Sequence, residues 1–200
     1  MKLFYSPTSP FVRKVVLAAK IREIDSQIEL VPTDAHSSPA ALLSANPLSK
    51  VPCLMTEDGV ALFDSPVICE YLDSLGDAPP LFPDHGGVRW TALRQQALAD
   101  GMMDAAVLGR MESVRPQEET RAKVIERQKA AVTRGLALLE ETPPEAGHPT
   151  IGTISVACML GYLDFRFAAD DWRAGHPRLA RWLESFVAAT PAFAETAPPV

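Results

Sequence analysis

The sequence predicts a mixed α/β domain built on a four-stranded sheet, followed by an all-helical domain. Three observations carry this. Short apolar runs and two-residue alternation occur only before Gly76. From Gly76 to Gly87 the chain (GDAPPLFPDHGG) is rich in Pro and Gly and has no periodicity. Beyond it, apolar residues recur only at helical spacing.

The elements follow in order. Residues 2–5 read as a short strand stopped by Ser6-Pro7. Ser9 as N-cap and Pro10 at the first helical position start a helix whose apolar stripe is Phe11, Val12, Val15, Val16 and Ala19. Gln27 to Val31 read as a second strand closed by Pro32, and so compact a strand–helix–strand unit predicts parallel pairing. Ser38-Pro39 opens a short helix over Ala40 to Ala45, which Asn46-Pro47 ends. Val51 to Met55 and Val60 to Phe63 flank Thr56-Glu57-Asp58-Gly59, an antiparallel hairpin signal. Ser65 caps a helix beginning at Pro66. After the linker, Val88 to Val114 and Glu118 to Glu141 are helices that meet at Arg115-Pro116. Thr150 to Ala168 is apolar on most faces and therefore central, and Pro177 to Ala189 is the last helix before a Pro-bearing tail. The expected division is a domain over 1–76, a linker over 77–87 and a helical domain over 88–200.

Composition narrows the function classes. Hydrophobic residues are 47% and charged residues 22%, the balance of a globular chain. The net charge is -6 and no basic run appears, which argues against nucleic acid as a partner. No apolar stretch approaches the roughly 18 residues of a membrane span, and Met1-Lys2-Leu3-Phe4-Tyr5 alternates instead of forming a leader, so a cytoplasmic location is expected. Cys53, Cys69 and Cys158 are odd in number and widely spaced, fitting neither disulfides nor zinc, and His36, His85, His148 and His176 form no H-x-x-x-H pair. No metal is expected.

Three strings carry a family resemblance: Tyr5-Ser6-Pro7-Thr8-Ser9-Pro10-Phe11-Val12-Arg13-Lys14-Val15, Asn46-Pro47-Leu48-Ser49-Lys50-Val51-Pro52-Cys53-Leu54, and Leu62-Phe63-Asp64-Ser65-Pro66-Val67-Ile68-Cys69-Glu70-Tyr71-Leu72. In this order, and followed by a helical domain, they make the chain resemble the bacterial, serine-type cytosolic glutathione transferases over essentially its full length. The resemblance implies a thioredoxin-like N-terminal domain that binds glutathione as co-substrate. It also implies a hydrophobic acceptor site against the helical domain, a small hydrophobic electrophile as partner, a homodimer and a role in detoxification.

Site residues follow from it one by one. Where the family carries Ser or Cys before the Pro-Phe pair, this chain has Ser9, which favours thiolate stabilisation over thiol exchange; Thr8, Ser6 and Tyr5 are the neighbouring alternatives. A free thiol has a pKa of about 8.5. Lowering it by about two units takes roughly 2.7 kcal/mol, within reach of one charge-assisted hydrogen bond of about 1.5–3 kcal/mol at a helix N-terminus. The resemblance makes Pro52 cis, so that Val51 pairs strand-like with the cysteinyl part of glutathione. Lys50 meets the glycyl carboxylate, Ser65 holds the γ-glutamyl carboxylate and Asp64 the γ-glutamyl ammonium; the family more often has Glu or Gln at the position of Asp64. Phe11, Met102 and Met103 are acceptor-site candidates, although the helical spacing of the two methionines favours core or interface over the pocket. Where the family's capping box has an acidic fourth residue this chain has Thr153, so the reciprocal bond to Thr150 is expected to be lost. Two other readings stay open: a non-catalytic glutathione-binding or protein-interaction scaffold, and a glutathione-dependent reductase, which wants a cysteine at position 9.

Overall fold

A computed structural model describes residues 1–116 and 118–199. They form two compact units, Met1–Arg89 with the segment from Ala192, and Trp90–Pro191. The first is built from β1 (Lys2–Tyr5), α1 (Pro10–Ile21), β2 (Glu29–Pro32), α2 (Ala40–Ala45), β3 (Cys53–Met55), β4 (Ala61–Leu62) and α3 (Ser65–Asp73). The strands lie in the order β2-β1-β3-β4. β1 and β2 are parallel, with Leu3 opposite Leu30, while β3 runs antiparallel to both β1 and β4. This is the mixed four-stranded sheet expected.

Boundaries shift for identifiable reasons. β3 begins at Cys53, after Pro52, which has no N–H to give the ladder. β4 is reduced to two residues because Val60 is spent in the turn, where its N–H donates to Thr56 Oγ1 at 2.9 Å and Gly59 takes a φ of +83°. β2 starts at Glu29 because Asp25–Gln27 coil into a 3-10 turn, and Pro32 is tolerated because β2 is an edge. α1 and α3 pack against each other; Leu3, Val15, Leu17, Ile68 and Leu72 are fully buried.

Arg22 and Asp73 form a buried ion pair at the ends of α1 and α3, Nε to Oδ1 3.3 Å, with side chains 4% and 8% exposed. The Arg22 guanidinium donates to the carbonyls of Leu75 and Gly76, and the Asp73 carboxylate accepts from the N–H groups of Leu81 and Phe82. One charge pair thus ties the end of α3 to the chain that follows it.

The second unit begins within α4 (Gly86–Ser113) and contains α5 (Glu119–Glu141), α6 (Ile151–Arg166), α7 (Trp172–Gly175) and α8 (Pro177–Ala189). Every residue of α6 from Ile151 to Leu163 is buried, the central position its composition predicts. Its capping box is intact, contrary to expectation. Thr153 Oγ1 accepts from the Thr150 N–H at 2.8 Å, and Thr150 Oγ1 accepts from the Thr153 N–H at 3.3 Å. A threonine hydroxyl does here what an acidic side chain does elsewhere. Gly152 is needed for close approach, since a Cβ there would lie 2.7 Å from the Ala92 carbonyl oxygen on α4.

α8 has no side-chain cap of its own. Glu140, at the end of α5, supplies one, accepting from the N–H groups of Arg178 and Leu179 at 3.0 and 2.8 Å. Desolvation alone would raise its pKa; the N–H donors of Leu179 and Arg178 outweigh it and hold the carboxyl below the ordinary value.

α9 (Ala192–Glu195) lies in the tail that the sequence reading groups with the helical domain, and it joins the first unit. The Arg13 guanidinium stacks 3.9 Å from the Phe193 ring centroid and donates to the Phe193 carbonyl, while Lys20 pairs with Glu195 at 2.9 Å. Cation–π attraction plus a hydrogen bond explains why so short a helix stays put.

Asp73→Ala leaves Arg22 buried without its counter-ion, so unfolding in urea should show a loss of about 3–5 kcal/mol. Because the Glu140 pKa is depressed on folding, its contribution is present above the unfolded value and is lost as pH falls through the folded one. A stability–pH profile should show this acid-side loss, and Glu140→Gln should reduce it.

Candidate functional site

The sheet register gathers three loops at one end of the first unit. Phe4 lies opposite Cys53 in the antiparallel β1–β3 pair, so the residues after β1 sit beside those before β3. Leu62 lies opposite Leu54 in the β3–β4 pair, so the residues after β4 reach that same end. Ser6–Ser9, Lys50–Pro52 and Asp64–Ser65 are therefore neighbours by topology. α1 and α3 both start there, directing two N-termini, and hence two sets of backbone donors, to one edge. Open α/β sheets present ligands at such strand ends.

Ser9 is the N-cap of α1. Its Oγ accepts from the Val12 N–H at 3.3 Å, its own N–H donates to the Ser6 carbonyl, and its carbonyl accepts from the Arg13 N–H. A hydroxyl has one proton and two lone pairs. Capping consumes a lone pair and leaves the proton to donate elsewhere. Capping is therefore compatible with donation to an anion. Pro10 contributes no N–H and the Val12 N–H is used by the cap, which leaves the Phe11 N–H as the further backbone donor of the first turn; Phe11 itself is half-buried.

Around the second loop, the Val51–Pro52 peptide is cis, as the resemblance implies, and so is Phe63–Asp64. Val51 is half-buried, Pro52 buried and Lys50 exposed. Asn46, which the sequence marks only as the end of α2, organises this loop. It is 2% exposed, its Nδ2 donates to the Lys50 carbonyl at 2.9 Å, and its Oδ1 accepts from the Leu48 N–H at 3.0 Å. The signal was present as Asn before Pro47, where an amide side chain can fold back on its own turn.

At the third loop the N-cap lies one residue earlier than expected. Ser65 is the first residue of α3, 2% exposed, and Asp64 holds the cap position without a side-chain cap bond. Asp64 is exposed, so its carboxylate is available to an external cation. Pro66 has no N–H, and the Ile68 N–H is used by the Asp64 carbonyl, so the Ser65 and Val67 donors mark this N-terminus.

Met102 and Met103 are 3% and 0% exposed within the second unit. Met102 Sδ occupies the space that a Cβ on Gly135 would need, which locates it in the α4–α5 packing. Cys53, Cys69 and Cys158 are all buried, and burial pushes the Cys53 thiol above its ordinary value. Among the described residues, no group of three or more His, Cys, Asp or Glu could hold a metal ion, and no helix is long and apolar enough to cross a membrane.

Comparison with known proteins agrees with this fold. Residues 8–75 match the family model for the glutathione S-transferase N-terminal domain, and residues 122–185 that for the glutathione S-transferase C-terminal domain. The chain belongs to the glutathione S-transferase family. It is 35% identical to the uncharacterized GST-like protein YibF of Escherichia coli K12, covering 100% of this chain and 99% of that one. It also resembles a glutathione transferase family member from Pseudomonas fluorescens Pf-5, solved with bound glutathione, at 40% identity and a TM-score of 0.92, covering 100% and 99% of the two chains. A glutathione S-transferase from Methylobacillus flagellatus KT, solved with glutathione bound, shares 36% identity at a TM-score of 0.88, covering 99% of each chain.

A buried thiol that stays protonated is a poor nucleophile. Iodoacetamide at neutral pH should leave all three cysteines of the folded protein essentially unmodified over the time that modifies them fully in urea.

Proposed function

We propose that the protein is a glutathione transferase of the serine type, activating the glutathione thiol for attack on a hydrophobic electrophile. The observation that carries this reading is the Ser9 hydroxyl, whose proton is left over by the cap. Family membership and the two relatives solved with glutathione support it.

In this reading the domain over 1–76 binds the tripeptide. The Val51 main chain pairs with the cysteinyl residue by strand addition, which recognises backbone and not side chain. The Ser65 N–H and hydroxyl hold the γ-glutamyl carboxylate at the start of α3, Asp64 pairs with the γ-glutamyl ammonium, and Lys50 meets the glycyl carboxylate. Pro52 sets the geometry of Val51. Ser9 then donates to the sulfur. The thiol proton passes to solvent, the thiolate forms a bond to the electrophilic carbon, and the leaving group departs with the electron pair of the bond that breaks. Catalysis is pKa adjustment plus proximity, with no covalent enzyme intermediate. Phe11, beside Ser9, is the acceptor contact carried forward; Met102 and Met103 are committed to packing and are not. A cytoplasmic homodimer acting in detoxification completes the proposal.

The test separates the two roles of Ser9. Replacing a serine cap by glycine costs a few tenths of a kcal/mol, and by alanine about 1 kcal/mol; both substitutions remove the hydroxyl proton. Ser9→Gly should therefore keep near-normal stability and glutathione binding. It should raise the pKa of bound glutathione, read from thiolate ultraviolet absorbance, by about one to two units, and lower kcat/KM at neutral pH by about 10–100-fold. Absence of bound thiolate near neutral pH in the unmodified protein would support the non-catalytic scaffold instead. Full activity in a Cys53→Ala, Cys69→Ala, Cys158→Ala variant is expected and would exclude a protein-thiol reductase.

A further inference from the structure

The helical unit contains a cavity of its own, of about 460 Å³, between α4, α5, the end of α6 and α7. That volume is in the range of small-molecule sites, about 300–1,000 Å³. Ala106, Gly109, Val132, Leu163, Phe167 and Trp172 form its apolar walls.

Two features keep it open. The α7 wall is pinned, because Asp164 accepts from Trp172 Nε1 at 2.8 Å and forms a bidentate pair with Arg173, whose guanidinium lies over the Trp172 ring, 4.5 Å from its centroid. On α4, Gly109 leaves room that packing does not demand. A Cβ there would meet Gln128 Cβ at an ordinary 3.6 Å, whereas one on Gly135 or Gly152 would collide. An interior helix glycine costs about 0.5–1 kcal/mol relative to alanine. Here the missing side chain widens the cavity.

The rim decides which molecules suit it. Lys129 is paired with Asp170 at 3.0 Å, and Asp171 adds a second carboxylate, so the charged groups sum to one negative charge. His176 Nδ1 lies 2.6 Å from the Trp172 carbonyl, which can only accept, so Nδ1 holds the proton and is committed to that bond. The two carboxylates offer acceptors, and the net negative rim disfavours anions.

We infer that this cavity binds an uncharged, apolar ring compound bearing a single hydrogen-bond donor, at a site separate from the glutathione-binding residues. The probe is N-phenylnaphthylamine, neutral with one N–H, and its counterpart is anilinonaphthalene sulfonate, the same skeleton with an anionic group. Fluorescence titration of the full chain should give one neutral probe per chain, bound at least tenfold more tightly than the sulfonate. Saturating S-hexylglutathione and the Ser9→Gly substitution should leave that affinity within twofold. Gly109→Leu fills the cavity with a better helix former and should weaken the neutral probe at least tenfold, with circular dichroism unchanged. If that variant does not fold, Val132→Phe fills the same space from α5 and serves with the same expectation. Equal binding of the sulfonate, displacement by S-hexylglutathione, or undiminished affinity in a folded cavity-filling variant would overturn the inference.

Discussion

The antiparallel register of β3 against β1 and β4 is the constraint on which the candidate site depends. Because Phe4 faces Cys53 and Leu54 faces Leu62, three loops distant in sequence must turn at the same sheet end. A shift of one residue would exchange the faces of Cys53 and Leu54, which are fully buried on opposite sides of the sheet, and so mismatch the packing of both. The pressure to bury these two residues therefore also holds Ser9, Val51 and Ser65 at one edge. Hydrophobic burial sets the positions, and polar groups occupy them.

Ser9 shows how one side chain can be read two ways. Its oxygen satisfies an orphan donor of α1, a structural task common to many helices, and a capping hydroxyl still keeps its own proton. This is why sequence alone could not divide cap from catalyst: Ser-Pro also stands at Ser38-Pro39 and Ser65-Pro66, and only register separates them. Ser38 has a left-handed φ of 48° and is not the N-cap of α2, and Ser65 is the first helical residue of α3. One dipeptide occupies three different backbone positions.

What could be read from the sequence was whatever local chemistry settles. Pro10, Asp58-Gly59 and the unbroken apolar face of α6 predict their elements well, since each restricts φ or the burial pattern within a few residues. What could not be read depends on partners far along the chain. Thr153 replaces an acidic residue without loss because a hydroxyl at that distance can accept as well. Glu140 caps a helix that starts nearly forty residues later, with a separation of 38 to Arg178. Asn46 carried a local signal, but its importance lies in the loop it braces. The helical spacing of the α4 methionines favours core over pocket without deciding it, and Gly135 shows which space Met102 fills.

The Arg13–Phe193 clasp spans 180 positions. During synthesis, α1 and its sheet can assemble early, yet the helix that seals Arg13 is translated only after the whole second unit has been made. Closing so large a loop is entropically unfavourable, though the cost grows only logarithmically with its length. It follows that the nascent first unit lacks the α9 cover on one flank of α1 until the segment around Phe193 has both been made and emerged from the ribosome.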